Sequence, residues 1–355
     1  MKQLNTWTYA IFFAGCYLGA GFVSGNELTQ FFGNFGLNGF FGLLIILVGF
    51  SAIGTVAAHF AKATGITEVD RLAVGERFRF LRAAIGTMQL LLMFAILTIV
   101  HAGIGALLNS LFSIPAWLGS LLFAAIILPI AILGISGVAR VLAISVPLLT
   151  ATVVTLALIL LPRWIAADFP MPHGEADNPL LPTFWIAAAT YISFNMGGNI
   201  TVVLASSPNV RRKHILPGTL LGSLLLAVVA STIMIILSLY PAAMADELPM
   251  LSAAGEVHPA LGYAYGLLLF LAMSGSGLSK CFGISHYFAC KWRPAAEHPR
   301  LFMAALVALA YLFSLVGFGD LVGTVYPIFG YLSILLLIAM LWRAGVYFKK
   351  AKKES

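Results

Sequence analysis

The chain has 355 residues, 61% of them hydrophobic and 9% charged, with a mean hydropathy of +0.99, whereas an ordinary soluble domain has roughly a quarter of its residues charged. Lys and Arg outnumber Asp and Glu by 20 to 13, a net charge of +7, but the basic residues sit in short connections between apolar runs, so a basic groove and a nucleic-acid partner are excluded. Cys16, Cys281 and Cys290 all fall in apolar segments without paired or ligand-type spacing, which leaves neither a disulfide framework nor a zinc site and reads them as core residues.

Apolar stretches of about 20 residues span a bilayer. Ten follow one another in chain order: 6–32, 36–60, 81–110, 115–135, 139–161, 182–205, 214–240, 258–290, 299–317 and 321–342. A single Lys precedes the first, which is too long and glycine-rich for a signal sequence and has no small-residue cleavage site after it, so that span is expected to remain. With the N-terminus cytoplasmic, the inner loops hold Lys62, Arg71, Arg77, Arg79, Arg82, Arg140, Arg211, Arg212, Lys213, Lys291, Arg293 and Arg300, and the tail holds Lys349, Lys350, Lys352 and Lys353. The outer loops hold Arg163 among the acids Asp168, Glu175, Asp177, Asp246, Glu247, Glu256 and Asp320. That sorting predicts a multi-pass protein of the cell membrane with both termini cytoplasmic.

Two spans are interrupted by polar and glycine-rich sequence. The first carries GAGFVSGNEL, Gly19 to Leu28, and the sixth carries ISFNMGGNIT, Ile192 to Thr201. Their centres, near Gly21 and Gly197, are about 176 residues apart, and spans two to five recur at a similar offset, so the chain reads as two five-helix halves, 1–165 and 166–355. Five is odd, so the second half enters the membrane from the opposite side. Breaks at matching places of two inverted halves point to a transporter's central site. An unwound helix leaves N–H and C=O groups free, at several kcal/mol per group in lipid, so it survives only where a polar cavity or a ligand meets them. The alternative is that the glycines only let helices pack closely.

The stretch AGCYLGAGFVSGNELTQFFG, Ala14 to Gly33, resembles the first helix of the YkvI-like family of amino-acid permeases, within the amino acid, polyamine and organocation superfamily. The resemblance implies an all-α, LeuT-type fold: about ten transmembrane helices as two inverted repeats, with helices 1 and 6 broken. It implies carboxylate donors at the N–H groups of Ala20 and Gly21, with Gly19, Phe22 and Ser24 around them. Ser193, Phe194, Asn195, Met196, Gly197 and Asn199 would lie on the facing span, with Phe194 as an aromatic lid. It also implies a sodium site at the carbonyls of Gly15 and Leu18, completed by Ser276 and Ser279. Cys16 stands where the sodium-coupled carriers have an asparagine that serves a further sodium ion, a departure from the pattern.

Glu27 and Lys280 are ionisable residues well inside spans, where a charge costs at least about 2.5 kcal/mol and is a functional candidate by default. At 1.5 Å per residue their backbones lie roughly 18 Å apart along the membrane normal, which argues for two separate roles. Lys280 shares a helical face with Ser276 and Ser279; it reads as a coupling group in place of sodium, as a snorkelling anchor, or as half of a structural ion pair. Glu27 reads as a cap on the outer half of the first helix or as a cavity carboxylate that titrates or holds a substrate amine. His101 reads as a third cavity group or as a structural histidine, and His286, Tyr287 and Lys291 beside Trp292 as an interfacial cluster.

The sequence has no H-E-x-x-H, G-x-S-x-G or P-loop, so it is not read as an enzyme. The expectation is a secondary active transporter of a small amine-bearing or zwitterionic solute, an amino acid above all, driven by a sodium or proton gradient without an organic cofactor. A transporter-fold receptor and an ion channel are the alternatives, the latter disfavoured because the two breaks are different sequences in one chain.

Overall fold

The computed structural model describes residues 4–75, 78–133, 136–172 and 178–354. Arg77, Glu175 and Asp177 lie outside them, as do the side chains of Arg140, His286, Cys290 and Lys291. Each of the ten apolar segments is helical. The first is divided into α1 (Thr6–Tyr17), α2 (Ala20–Ser24) and α3 (Asn26–Phe32), followed by α4 (Leu37–Thr64), α5 (Val69–Val74), α6 (Arg79–Phe112), α7 (Ala116–Leu133) and α8 (Ser136–Ala166). The remainder comprises α9 (Phe184–Ser206), α10 (Arg212–Leu239), α11 (Pro249–Val257), α12 (Pro259–Lys291), α13 (Arg293–Glu297), α14 (Pro299–Ser314) and α15 (Phe318–Glu354). Among the described residues, six helices are long and apolar enough to cross a membrane, and Ala116–Ile132 and Pro299–Ser314 are shorter apolar helices. The short helices α5, α11 and α13 lie in connections that the hydropathy pattern leaves blank. The last helix runs past its apolar span because Ala, Lys and Glu after residue 342 are good helix formers.

Small residues set the helix contacts that position the middle of the molecule. Gly218 and Gly222 of α10 lie against α1, where a Cβ at Gly222 would come within 2.8 Å of the Ala10 carbonyl oxygen. A Cβ at Gly330 of α15 would come within 2.6 Å of the Thr190 carbonyl oxygen on α9. Close backbone approach of this kind is how helices associate in lipid, which offers little hydrophobic drive between them. Near α1's start, Leu4 bridges to Val210, Thr6 Oγ1 lies 2.7 Å from His214 Nδ1, and Lys62 Nζ donates to the Pro208 carbonyl at 3.2 Å. Near α3's start, Asn26 Nδ2 donates to the Glu247 carbonyl at 3.0 Å, and Glu247 Oε1 accepts from Phe318 N at 3.1 Å.

One expectation is corrected: the sixth span does not break. Helix α9 runs unbroken through Ser193 to Asn199. Asn195 and Asn199 donate their side-chain amides back to the carbonyls of Tyr191 and Asn195, both at 3.2 Å, so the polar groups add bonds along the helix instead of opening it. Gly197 and Gly198 serve packing: a Cβ on the first would overlap Ser333 of α15, and one on the second would come within 3.1 Å of Ile96 Cδ1 of α6.

Candidate functional site

The first span unwinds in two steps on either side of a five-residue turn. Helix α1 ends at Tyr17, Leu18 leaves the helical region and Gly19 lies in the extended region, so Ala20 and Gly21 begin a new helix whose first N–H groups have no carbonyl in a preceding turn. Gly25 then has φ +83, a left-handed conformation that glycine adopts without a side-chain penalty, and α3 starts at Asn26. Some main-chain groups of the break bond locally, Gly19 N to the Tyr17 carbonyl, Val23 N to Gly19 and Gly25 N to Phe22, and others are met by side chains. Ser24 Oγ donates to the Gly21 carbonyl at 3.0 Å and accepts from Asn26 N at 3.3 Å. The Val23 carbonyl accepts from the Tyr265 hydroxyl of α12 at 2.5 Å.

Glu27, 3% exposed, folds back from α3 over this turn. Its Oε2 accepts from the Tyr191 hydroxyl of α9 at 2.9 Å, and the main-chain N–H of Phe22 lies within electrostatic range of the same carboxyl group. The Glu27 side chain fills the position that a Cβ on Gly21 would take. Its donor Tyr191 meets Phe31 and Phe32 edge-on at 5.1 and 5.5 Å, and Tyr326 lies within electrostatic range of Glu27. A cavity of about 280 Å³ lined in part by Gln30, Asn34 and Asn178 opens one helical turn further along α3.

The residues of α9 divide between two faces. Met196 meets α1, its sulfur accepting from the Tyr17 hydroxyl at 3.4 Å. Ser193 and Phe194 face α15: Ser193 Oγ donates to the Gly330 carbonyl at 2.7 Å, and Phe194 stacks on Tyr326 with ring centroids 3.9 Å apart. Gly197 packs on α15 too, so the face expected to meet the first helix is shared with the scaffold because the span stays helical and its side chains rotate by 100° per residue.

Lys280 is 4% exposed and does not snorkel. Its Nζ donates to Asn199 Oδ1 at 3.0 Å and to the Gly198 carbonyl at 3.4 Å, and Cys16 near the end of α1 lies within electrostatic range. The ammonium therefore bridges α12 and α9 beside the C-terminal end of α1, where a helix favours positive charge. Glu27 and Lys280 are not paired. Their partners Tyr191 and Asn199 are eight residues apart on α9, roughly 12 Å at 1.5 Å per residue. The backbone of Gly15 and Leu18 forms the end of α1, and Ser276 and Ser279 lie on the same helix as Lys280. His101 turns away from the break: its Nδ1 lies 2.8 Å from the Leu97 carbonyl oxygen, and its ring meets Phe123 of α7 edge-on at 4.9 Å.

Sequence reasoning passed over the tyrosines. Tyr17, Tyr191, Tyr265 and Tyr326 are all buried at these contacts. A phenol buried in a membrane interior needs a hydrogen-bond partner, so mid-span tyrosines are the signal that finds the groups meeting a broken helix.

A helical membrane bundle whose first helix unwinds at mid-span against two other helices has the LeuT-type fold of secondary transporters. Among solved structures the chain is similar to MhsT in complex with L-phenylalanine, with 18% identity, a TM-score of 0.66, and coverage of 97% of this chain and 93% of that one. It is also similar to Mhp1 in an inward-facing conformation, at 14% identity and a TM-score of 0.64 over 96% and 76% of the two chains. A manganese transporter of Eremococcus coleocola matches at 14% identity and a TM-score of 0.51 over 94% and 86%. In sequence, the chain is 26% identical over 339 residues to the uncharacterized membrane protein YkvI of Bacillus subtilis strain 168, covering 94% of each. The resemblance carried by the first helix thus extends along nearly the whole chain. No family model matches the sequence.

Proposed function

We propose that the protein is a secondary transporter that moves a small amine-bearing or zwitterionic solute across the cell membrane by alternating access, with both termini cytoplasmic. The observation that carries this reading is the two-step break at Leu18–Gly19 and Gly25, which exposes main-chain groups to side chains of α9 and α12 around a buried carboxylate. Such a construction is costly in lipid unless it serves a solute or an ion. MhsT, solved with L-phenylalanine, supports an amino acid as solute. Mhp1 with bromovinylhydantoin bound and the manganese transporter support a wider range on the same fold.

In this reading the halves 1–165 and 166–355 are the inverted repeats, and Ala20, Gly21 and Phe22 with Asn195 and Met196 line the solute path. The driving cation is a proton handled at Lys280 or a sodium ion at the Gly15 and Leu18 carbonyls with Ser276 and Ser279. The bridging position of the Lys280 ammonium, beside the end of α1, favours the first.

The test is accumulation of labelled amino acids and amines by the purified protein in liposomes under imposed sodium and proton gradients, with and without Lys280→Ala. Gradient-driven accumulation whose ion dependence changes in the variant is the expected result. An unchanged ion profile in Lys280→Ala returns the lysine to a structural role, and no accumulation under either gradient favours the receptor reading.

A further inference from the structure

The place where the resemblance puts a solute's carboxylate is already filled by the chain. Glu27 lies over Gly21, its side chain standing where a Cβ on that glycine would be, and its carboxyl group accepts from the Tyr191 hydroxyl, with the Phe22 N–H within electrostatic range. A second carboxylate brought to the same turn would meet a like charge at close range in a medium that screens it poorly.

What Glu27 lacks is a cation. The ion pairs Arg71–Glu68, Arg82–Asp70 and Arg293–Glu297 all lie away from it. Lys280, the buried ammonium, is held by Asn199 and the Gly198 carbonyl two helical turns along α9. A buried carboxyl group either stays neutral or is charged against a cation, and Glu27, 3% exposed beside the Tyr191 hydroxyl, is placed to take a cation brought from outside the chain. Its surroundings select the kind of cation. The side chain bonded to Glu27 is a phenol that donates to it, not a further carboxylate or carbonyl of the kind that surrounds calcium or magnesium, and aromatic rings lie close by: Phe31 and Phe32 against Tyr191, and Tyr326. Aromatic faces attract an organic ammonium. A cavity one turn along α3 presents the amides Gln30, Asn34 and Asn178.

We propose that Glu27 is a built-in substitute for the substrate's carboxylate, and that the solute is an organic ammonium ion that carries no carboxylate of its own. This assignment rests on the transporter reading above and narrows its substrate class, yet it is tested by binding, independently of flux.

The experiment uses the full-length purified protein and matched probes that differ by a carboxylate: phenylalanine and phenethylamine, arginine and agmatine, glycine betaine and choline, with sodium chloride and manganese chloride as metal probes. Thermal stabilisation and calorimetric titration read the binding, since a ligand of the folded state raises its apparent stability. The expected result is that at least one amine binds tenfold or more tightly than its carboxylate-bearing partner, and that Glu27→Gln weakens that amine at least tenfold. Tyr191→Phe, which keeps the carboxylate but removes its phenol donor, should change amine affinity by only a few fold while preserving the discrimination. The assignment is overturned if the carboxylate-bearing member binds as well or better, if Glu27→Gln leaves amine binding unchanged, if the metal ions alone bind, or if no probe binds. Amine binding that Glu27→Gln removes, without flux in liposomes, keeps this assignment and sinks the transporter reading. Amino-acid accumulation without amine binding does the reverse.

Discussion

The first and sixth spans carry similar ingredients at similar depth, paired glycines among small polar side chains, yet one unwinds and the other runs straight. In the first, Gly19 is extended and Gly25 is left-handed, and groups thus released are taken up by Ser24 and Tyr265, with Glu27 within electrostatic range of the Phe22 N–H. In the second, the amides of Asn195 and Asn199 turn back onto carbonyls four residues earlier, while Gly197 and Gly198 admit Ser333 and Ile96. The difference teaches that glycine and amide content marks a span as unusual, while the partners available across the bundle decide whether it opens. Only where side chains of other helices and of the next turn wait for the freed groups is the break affordable.

Substitutions sharpen that contrast. The largest effect is expected at Gly21, where Gly21→Leu displaces Glu27 and closes the approach to the backbone. Solute affinity should fall on the order of 100-fold, about 2.7 kcal/mol, with the fold retained; unchanged uptake would remove the site from this turn. Gly25→Val should lower stability by about 2–3 kcal/mol in thermal unfolding, because a β-branched residue is strained at φ +83 and its Cβ would come within 3.0 Å of Met250 Cγ. Asn199→Ala removes the nearer acceptor of a buried ammonium and should cost about 1.5–3 kcal/mol, with a shift in the ion dependence of uptake that a packing role alone would not produce. Tyr265→Phe leaves the Val23 carbonyl without its donor and should cost about 1–2 kcal/mol. The smallest effect belongs to the unbroken span: Gly198→Ala should change stability by no more than about 0.5 kcal/mol, its helix propensity offsetting a contact with the flexible end of Ile96. A loss as large as that of Gly25→Val would mean that α9 must open at that point.

Hydropathy alone marks the chain as an all-helical membrane protein, because the bilayer demands long apolar stretches with internally bonded backbones, and loop charges carry an expected orientation. The first break was legible as well, since Gly19, Gly21 and Gly25 within seven residues of a span have few other uses. The sequence also separated Glu27 from Lys280 correctly, by depth along two helices running in opposite directions.

Tertiary structure decided the rest. No local pattern distinguishes an asparagine that lines a cavity from one that bonds its own helix, so the sixth span read as broken when Asn195 and Asn199 in fact hold it together. Nor does spacing reveal that Glu27 bends back over Gly21 to Tyr191, a residue 164 positions away, or that His101 faces Phe123 across a helix pair. Helix formation and membrane residence follow from residue type and period, which act within a turn or two of the chain. Which polar group meets which depends on the rotation and packing of helices far apart in sequence, and those are set by the small-residue seams at Gly218, Gly222 and Gly330.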